Sequence, residues 1–396
     1  LIGKFPFLIF ISLLSLLLTS WNAAAHGSEG KTTPPKSYQD WGSFVQQTDD
    51  GGFIIAGTTY RLGGWRSYLY LIKVDSRGNP AWRSTFGRGD VDWGQSAQQT
   101  TDGGYIAAGT TWNRGCDVYL VKADADGKES WSHTFGGRGR DYGRTVRQSA
   151  DGGFVIVGDT ASFGADETDV YLIKTDSLGK EVWSRHFGGS SGDYGHSVRQ
   201  TRDGGYVIAG WTGSFGAGKE DVYLIRTDAD GRMVWYRSFG DRYDDRGNSV
   251  QETSDGGFII GGAWGTGENQ SDVCLIKTDG EGREVWKKTY GGSHEDCGWF
   301  VQPTTDGGYV IVGNTWPVGK LGTSKVYLVK TDEMGWKVWD RILGGPGYDY
   351  GYCVTQTTDG GYVIVGKTDS FGAGDDDIYL IKTDAYGKEA WSKILR

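Results

Sequence analysis

An Asp-Gly-Gly corner, followed by an aromatic residue and a run of β-branched residues, recurs along nearly the whole chain. Its aspartates are Asp50, Asp102, Asp151, Asp203, Asp255, Asp306 and Asp359. A tryptophan keeps step with it (Trp82, Trp131, Trp183, Trp235, Trp286, Trp339 and Trp391), and so does an Asp-x-Gly (Asp40, Asp92, Asp141, Asp193, Asp245, Asp296 and Asp349). A fixed period of about 50 residues marks a repeat architecture, in which one unit cannot bury its apolar face alone. Seven such units fill nearly all of the 396 residues, so no second domain is expected.

Each unit holds four strand-like runs. In the fourth they are "YGHSVRQT", "YVIAGWT", "DVYLIRTD" and "MVWYRSFG". Short runs rich in β-branched and aromatic residues, bounded by Gly and Asp, read as strands. Tight Asp/Gly turns join the first run to the second and the third to the fourth, which makes an antiparallel meander. The third run is apolar on both faces, so the sheet must be covered on both sides. The expected fold is all-β: a seven-bladed β-propeller with four antiparallel strands per blade and blades of about 52 residues. An open solenoid would carry polar end caps, and the first and seventh units are as apolar as the rest. The chain starts with the first strand of one blade and ends with the fourth strand of another, so the ring closes by packing. A shifted boundary would instead stitch one blade from both ends.

The 67 glycines, well above the usual ~7%, punctuate strands, while 17 Trp and 22 Tyr supply apolar area for a core. A formal charge of −9 with no basic run excludes nucleic acid as a partner. Lys4, the apolar run that follows it and Ala23, Ala24 and Ala25 read as a secretory signal over 1–25, cut before His26. A retained anchor is the alternative. A linker over 26–37 then leads into a propeller over 38–396. No later segment is apolar enough to span a membrane. The expected location is secreted, periplasmic or cell-surface, and the expected state a monomer. Cys116, Cys274, Cys297 and Cys353 sit at unrelated positions of different units, which reads as small buried residues, with one bridge left open.

The segments "GGSSGDYG", "DGGYVIAG" and "DVYLIKTD…GKEVW" resemble the Asp-Gly-Gly-Tyr-Val repeat propellers of exported bacterial and archaeal surface proteins. The resemblance covers residues 38–396 and implies the fold. Asp176, Gly179 and Trp183 resemble the tryptophan-docking motif of quinoproteins, which implies that the Trp locks one blade to the next. Quinone-binding members have more blades and a vicinal cysteine pair. This chain lacks both, so no cofactor is expected.

Several motifs reduce to turns. A strand, not a helix, follows Gly307–Gly308, so the corner is not a phosphate loop. "DADG" at Asp124 and Asp228 opens like a calcium loop, but Lys128 and Arg232 stand where a ligand oxygen is needed. Asp375, Asp376 and Asp377 form a cation candidate by charge, with a solvated loop as the alternative. His294, Glu295 and Asp296 are the sole local His/acid cluster. The histidines (His26, His133, His186, His196 and His294) show no metal-ligand spacing, so no metal site is expected. No catalytic residues are assigned.

In a meander the longer connections share one face, and function tends to ride on variable loops over a rigid frame. The Asp-x-Gly lies on that face. Its middle residue is aromatic in five units: Trp41, Trp93, Tyr142, Tyr194 and Tyr350. With Asp40, Asp92, Asp141, Asp193 and Asp349 these suit sugars or peptides, rings supplying area and carboxylates accepting hydrogens. Alternatively, each Asp caps its own loop N–H groups and the aromatics pack between blades. The connections that depart from the repeat carry Tyr60, Trp65, Trp112 and Trp316. The expected function is an extracytoplasmic module that binds a protein or glycan through the long-loop face. A carbohydrate-active hydrolase or lyase, and a structural or assembly scaffold, are the other readings.

Overall fold

Runs such as Asp169–Thr175 (DVYLIKT) carry side chains that pack well on a pleated surface, and each such run becomes a strand. The computed structural model describes residues 39–396, apart from 61–65, 114, 165–166, 269, 293–294, 317–322 and 373–375. The leader and linker therefore lie outside the described residues. Within those described there are 28 strands and no helix. They pair consecutively as antiparallel meanders of four. Five are separate sheets, and an eight-stranded sheet combines the first two. Those two meet through one parallel pair, Ser67 with Val91. Repeated four-stranded sheets whose faces cover one another make a fold of β-propeller type.

The first strand of each unit is the innermost: Asp40–Gln47, Val91–Gln99, Asp141–Gln148, Asp193–Gln200, Arg246–Glu252, Asp296–Pro303 and Asp349–Gln356. Each packs against the first strand of the next unit, and the last packs against the first. The core lies between sheets. Val155, Val157 and Leu172 of the third unit share one apolar cluster with Val198, Ile208 and Ile225 of the fourth. Val45, Ile55 and Leu69 of the first unit share another with Val363, Ile378 and Leu395 of the last. Each such side chain, fully buried, contributes about 1.5–3 kcal/mol. The fourth strands are exposed or half-buried along most of their length, as in Glu181–Phe187, where only Phe187 is buried.

The Asp-Gly-Gly corner is a two-strand turn. Asp102 Oδ1 receives the Thr100 hydroxyl (2.5 Å), the Gly104 N–H (3.0 Å) and Lys122 Nζ (3.1 Å), while Gly103 takes φ 81°. The "DADG" turns behave alike. Asp124 Oδ1 accepts the N–H groups of Asp126 (3.0 Å) and Lys128 (2.8 Å). The following glycine seats a tryptophan of the preceding unit. A Cβ on Gly231 (φ 74°) would stand 2.5 Å from the Trp183 ring. The series ends where it began: a Cβ on Gly78 would stand 2.7 Å from Trp391 of the last unit. All four cysteines are free, and three are buried. Among the described residues no helix is long and apolar enough to cross a membrane.

Candidate functional site

After each Asp-x-Gly the inner strand carries one bulged residue. Pairing slips between Gly42 and Phe44, Gly94 and Ser96, Gly195 and Ser197, and correspondingly in the other units. The bulged residues are Ser43, Gln95, Arg144, His196, Asn248, Trp299 and Tyr352. A bulge re-aims its side chain and is over-represented beside functional sites. This is the one position of the inner strand with a different residue in every unit. That signal is present in the repeat, one residue beyond the Asp-x-Gly rather than within it.

The bulges meet their neighbours around the channel. The Ser43 hydroxyl donates to the Gly94 carbonyl (3.1 Å). Asn248 Nδ2 donates to the Gly298 carbonyl (2.8 Å). The Trp299 ring stands edge-on to Tyr352 at 6.0 Å, and its Nε1 donates to Asn314 Oδ1 (2.5 Å). Burial, with the nearby guanidiniums of Arg144 and Arg246, holds the His196 imidazole well below its usual range, so it is neutral. Among the described residues His196 Nε2 and Asn248 Oδ1 are buried without a hydrogen-bond partner. Burial likewise pushes the Tyr352 phenol well up.

The acids near this mouth are tied down. Asp159 accepts from Arg144 Nε (3.1 Å) and Nη2 (3.0 Å), and its other oxygen takes the Gly195 N–H (3.0 Å). In the first two units Thr58 and Thr110 fill that place, accepting from Gly94 (3.1 Å) and Gly143 (3.2 Å). Glu220 pairs with Arg246. Further along the channel Phe44 of the first unit meets Phe300 of the sixth edge-on at 5.9 Å. Arg147 lies over Phe44 (4.7 Å) and Arg199 over Phe300 (5.9 Å). These four side chains form a floor beneath the bulges.

Asp40, Asp92, Asp141, Asp193 and Asp349 are at most 1% exposed. Asp141 accepts from the Gly137 N–H (2.9 Å), the Ser162 hydroxyl (2.6 Å) and the Thr160 hydroxyl. Asp193 repeats this with Gly189 (2.8 Å) and Ser214 (2.6 Å). Asp349 does so with Gly345 (2.9 Å), Thr368 (2.5 Å) and Ser370 (2.7 Å). Asp92 holds the Arg88 and Gly89 N–H groups (3.4 and 3.3 Å), and Asp40 is held by Thr59 and Tyr60. These carboxylates bind mainly their own loops; Asp349 also pairs with Lys325 (3.2 Å), and Asp40 Oδ1 and Asp193 Oδ1 are buried without a hydrogen-bond partner among the described residues.

Of the aromatics, Trp93 and Tyr350 are buried, while Trp41, Tyr142 and Tyr194 are half-buried. Trp41 packs on Tyr60 (5.5 Å). Tyr194 stacks on Trp211 at 3.7 Å, with Arg246 over the far ring (5.2 Å). Tyr350 contacts Tyr352 (6.1 Å) and Trp316 (6.3 Å). Trp112 is half-buried. Trp65, His294 and Asp375 lie outside the described residues. Of the acids expected with them, Asp376 pairs with Lys367 (2.8 Å) and Asp377 with Arg396 (3.0 Å). Among the described residues no group of three or more His, Cys, Asp or Glu side chains is set for a metal.

No protein-family description and no curated protein matches the chain. Solved structures do. Puromycin hydrolase aligns with a TM-score of 0.55 at 14% identity, over 88% of this chain and 54% of that one. A mutant of that enzyme complexed with PGG gives 0.57 at 14% identity, over 89% and 54%. Sqt1 from Chaetomium thermophilum gives 0.47 at 11% identity, over 83% and 96%. The chain thus spans about half the length of the hydrolase it resembles, and at this identity the likeness is one of fold.

Proposed function

We propose that the chain is an exported, closed seven-bladed β-propeller, monomeric, that binds an extracellular protein or glycan through the long-loop mouth of its channel. The observation that carries the binding reading is the pair of buried, unpartnered polar atoms on adjacent bulges, His196 Nε2 and Asn248 Oδ1. Leaving such atoms unmade costs about 1–3 kcal/mol each, a cost that a bound hydroxyl or amide removes. The half-buried rings of Trp299, Tyr352 and Tyr194 beside them supply flat apolar area. Trp41, Trp93, Tyr142 and Tyr350 set the walls, Tyr60, Trp112 and Trp316 edge the loops above, and the five Asp-x-Gly aspartates position those loops. Ring closure is supported by the seating of Trp391 on Gly78 and by the core shared between the first and last units. The leader over 1–25 supports export.

The test is a glycan array and an extracellular-protein pull-down with the mature chain, followed by His196→Ala, Trp299→Ala and Trp41→Ala. Loss of the polar contact at His196 or of a stacking face is expected to weaken binding about tenfold or more, about 1.4 kcal/mol. Unchanged binding by His196→Ala and Trp299→Ala overturns the mouth as the site.

A further inference from the structure

The joints between units follow a rule of charge. Where the third strand of one unit begins, it faces the Asp-x-Gly aspartate of the next. Between the sixth and seventh units Lys325 faces Asp349: its Nζ donates to Asp349 Oδ2 (3.2 Å), to the Ser324 carbonyl (3.0 Å) and to the Gly347 carbonyl. Between the seventh and first, Arg396 reaches Asp377 Oδ1 (3.0 Å) and Oδ2 (3.1 Å), next to Asp40. Between the first and second, the neutral ring of Tyr68 takes that place: a Cβ on Gly87 would stand 2.2 Å from Asp92 Oδ2 and 3.0 Å from the Tyr68 ring. The other four joints set acid against acid.

Their geometry repeats. A Cβ on Gly240 would stand 1.6 Å from Asp221 Oδ1 and 2.9 Å from Asp245 Oδ2. The same construction on Gly136 finds Asp117 and Asp141 at 2.3 and 2.5 Å, on Gly188 finds Asp169 and Asp193 at 1.9 and 2.7 Å, and on Gly291 finds Asp272 and Asp296 at 2.3 and 2.4 Å. The Asp221–Asp245 joint is as closed as the Asp169–Asp193 joint and, unlike it, has no histidine beside its acids. Asp221 is 2% exposed and Asp245 0%. Asp221 Oδ2 takes the N–H groups of Ala217 (2.7 Å) and Gly218 (3.1 Å), but its Oδ1 is buried with no partner among the described residues. Asp245 takes the N–H groups of Gly265 and Asp241, each at 2.8 Å. No described Lys, Arg or His forms an ion pair with either acid. Two close buried carboxylates cannot both stay ionised without a countercharge.

We propose that a hard divalent cation of the calcium type sits between Asp221 and Asp245 and ties the fourth unit to the fifth, taking the role that the Lys325 ammonium plays between the sixth and seventh. The ligand set is all oxygen, which suits calcium over soft or imidazole-seeking metals. By register the Glu220 and Tyr243 carbonyls correspond to those of Ser324 and Gly347 that receive Lys325. The three sister joints offer the same paired carboxylates, with His186 Nδ1 3.7 Å from Asp169 at one of them.

The test uses the mature chain stripped with EDTA and titrated with calcium, followed by calorimetry for stoichiometry and by thermal melting. Saturating calcium is expected to raise the wild-type midpoint by roughly 5 °C or more. Asp221→Asn is expected to bind one calcium fewer per chain. Asp221→Lys, which copies the Lys325 joint, is expected also to bind one fewer and to melt above the wild type in EDTA. No binding heat and no midpoint shift in the wild type overturns the proposal, whatever the variants do. So does an Asp221→Asn variant that binds as many calcium ions as the wild type, because the two acids then share a proton instead.

Discussion

Lys122 is buried, and its Nζ donates to Asp102 and to the Ala123 carbonyl, each at 3.1 Å. The same link joins Lys73 to Asp50, Lys277 to Asp255 and Lys382 to Asp359. Burial alone would raise these carboxyls, but hydrogen bonds from Lys, Thr and the Gly N–H outweigh it and hold Asp50, Asp102, Asp255 and Asp359 at about 2. The folded value lies below the unfolded ~3.9. Their stabilisation is therefore full above pH ~4 and lost as the pH falls towards 2. Thermal midpoints should drop across that window, and Asp102→Asn should show a shallower drop. His196 behaves oppositely to a surface histidine. Its ring should stay neutral from pH 8 to pH 5, which nitrogen NMR of the imidazole reads directly; a transition near 6.5 would contradict the burial that the mouth requires. At this scale the corner was legible, because Asp-Gly-Gly followed by a strand admits little but a turn. The pairing of its aspartate with a lysine one hairpin away was not, because only the register of the second and third strands brings them together.

Strands join strands through two devices. One is the tryptophan seat: Trp183 against Gly231, which needs both a positive φ and the absence of a Cβ. Gly231→Ala should cost at least about 1–2 kcal/mol from backbone strain alone, measured as a shift of the urea midpoint. The other is a girdle of glutamines at the ends of the inner strands. Gln148 Oε1 accepts the Thr101 N–H (2.9 Å), Gln200 the Ala150 N–H (2.8 Å) and Gln356 the Thr305 N–H (2.9 Å). Gln47 of the first unit accepts the Thr358 N–H of the last (3.0 Å). Pro303 interrupts the girdle, since its side chain has no acceptor to offer the preceding turn at Ser254. Pro303→Gln should therefore stabilise the fold by about 0.5–1.5 kcal/mol, read as a higher midpoint with an unchanged denaturant slope. The seat was implied by the resemblance of Asp176, Gly179 and Trp183 to the tryptophan-docking motif of quinoproteins. The girdle was not, because glutamine at a strand end has no sequence signature of its partner.

Around the whole molecule each sheet is covered by its two neighbours, so no unit is dispensable. Deleting the last unit, residues 344–396, would uncover Val45, Ile55 and Leu69 on one side and Val312 and Leu328 on the other. The truncated chain should lose cooperative unfolding, bind hydrophobic dyes and associate, as seen by size-exclusion chromatography. The strand content and the four-strand meander were legible, since period-two runs and tight turns are local. The mouth was legible only in part. Its aromatics were marked by the Asp-x-Gly, whereas the bulged residues between them depend on a register slip.

Local chemistry along the chain determines where strands start and stop, how many there are and that their sheets need covering on both faces, because turns and side-chain alternation act over a few residues. Only the tertiary structure decides the work of each polar side chain. It ties the Asp-x-Gly carboxylates to loop N–H groups, leaves His196 Nε2 and Asn248 Oδ1 buried without partners, and sets Asp221 against Asp245. Those outcomes depend on which units become neighbours around the channel, and a repeat read along its length carries no such distances.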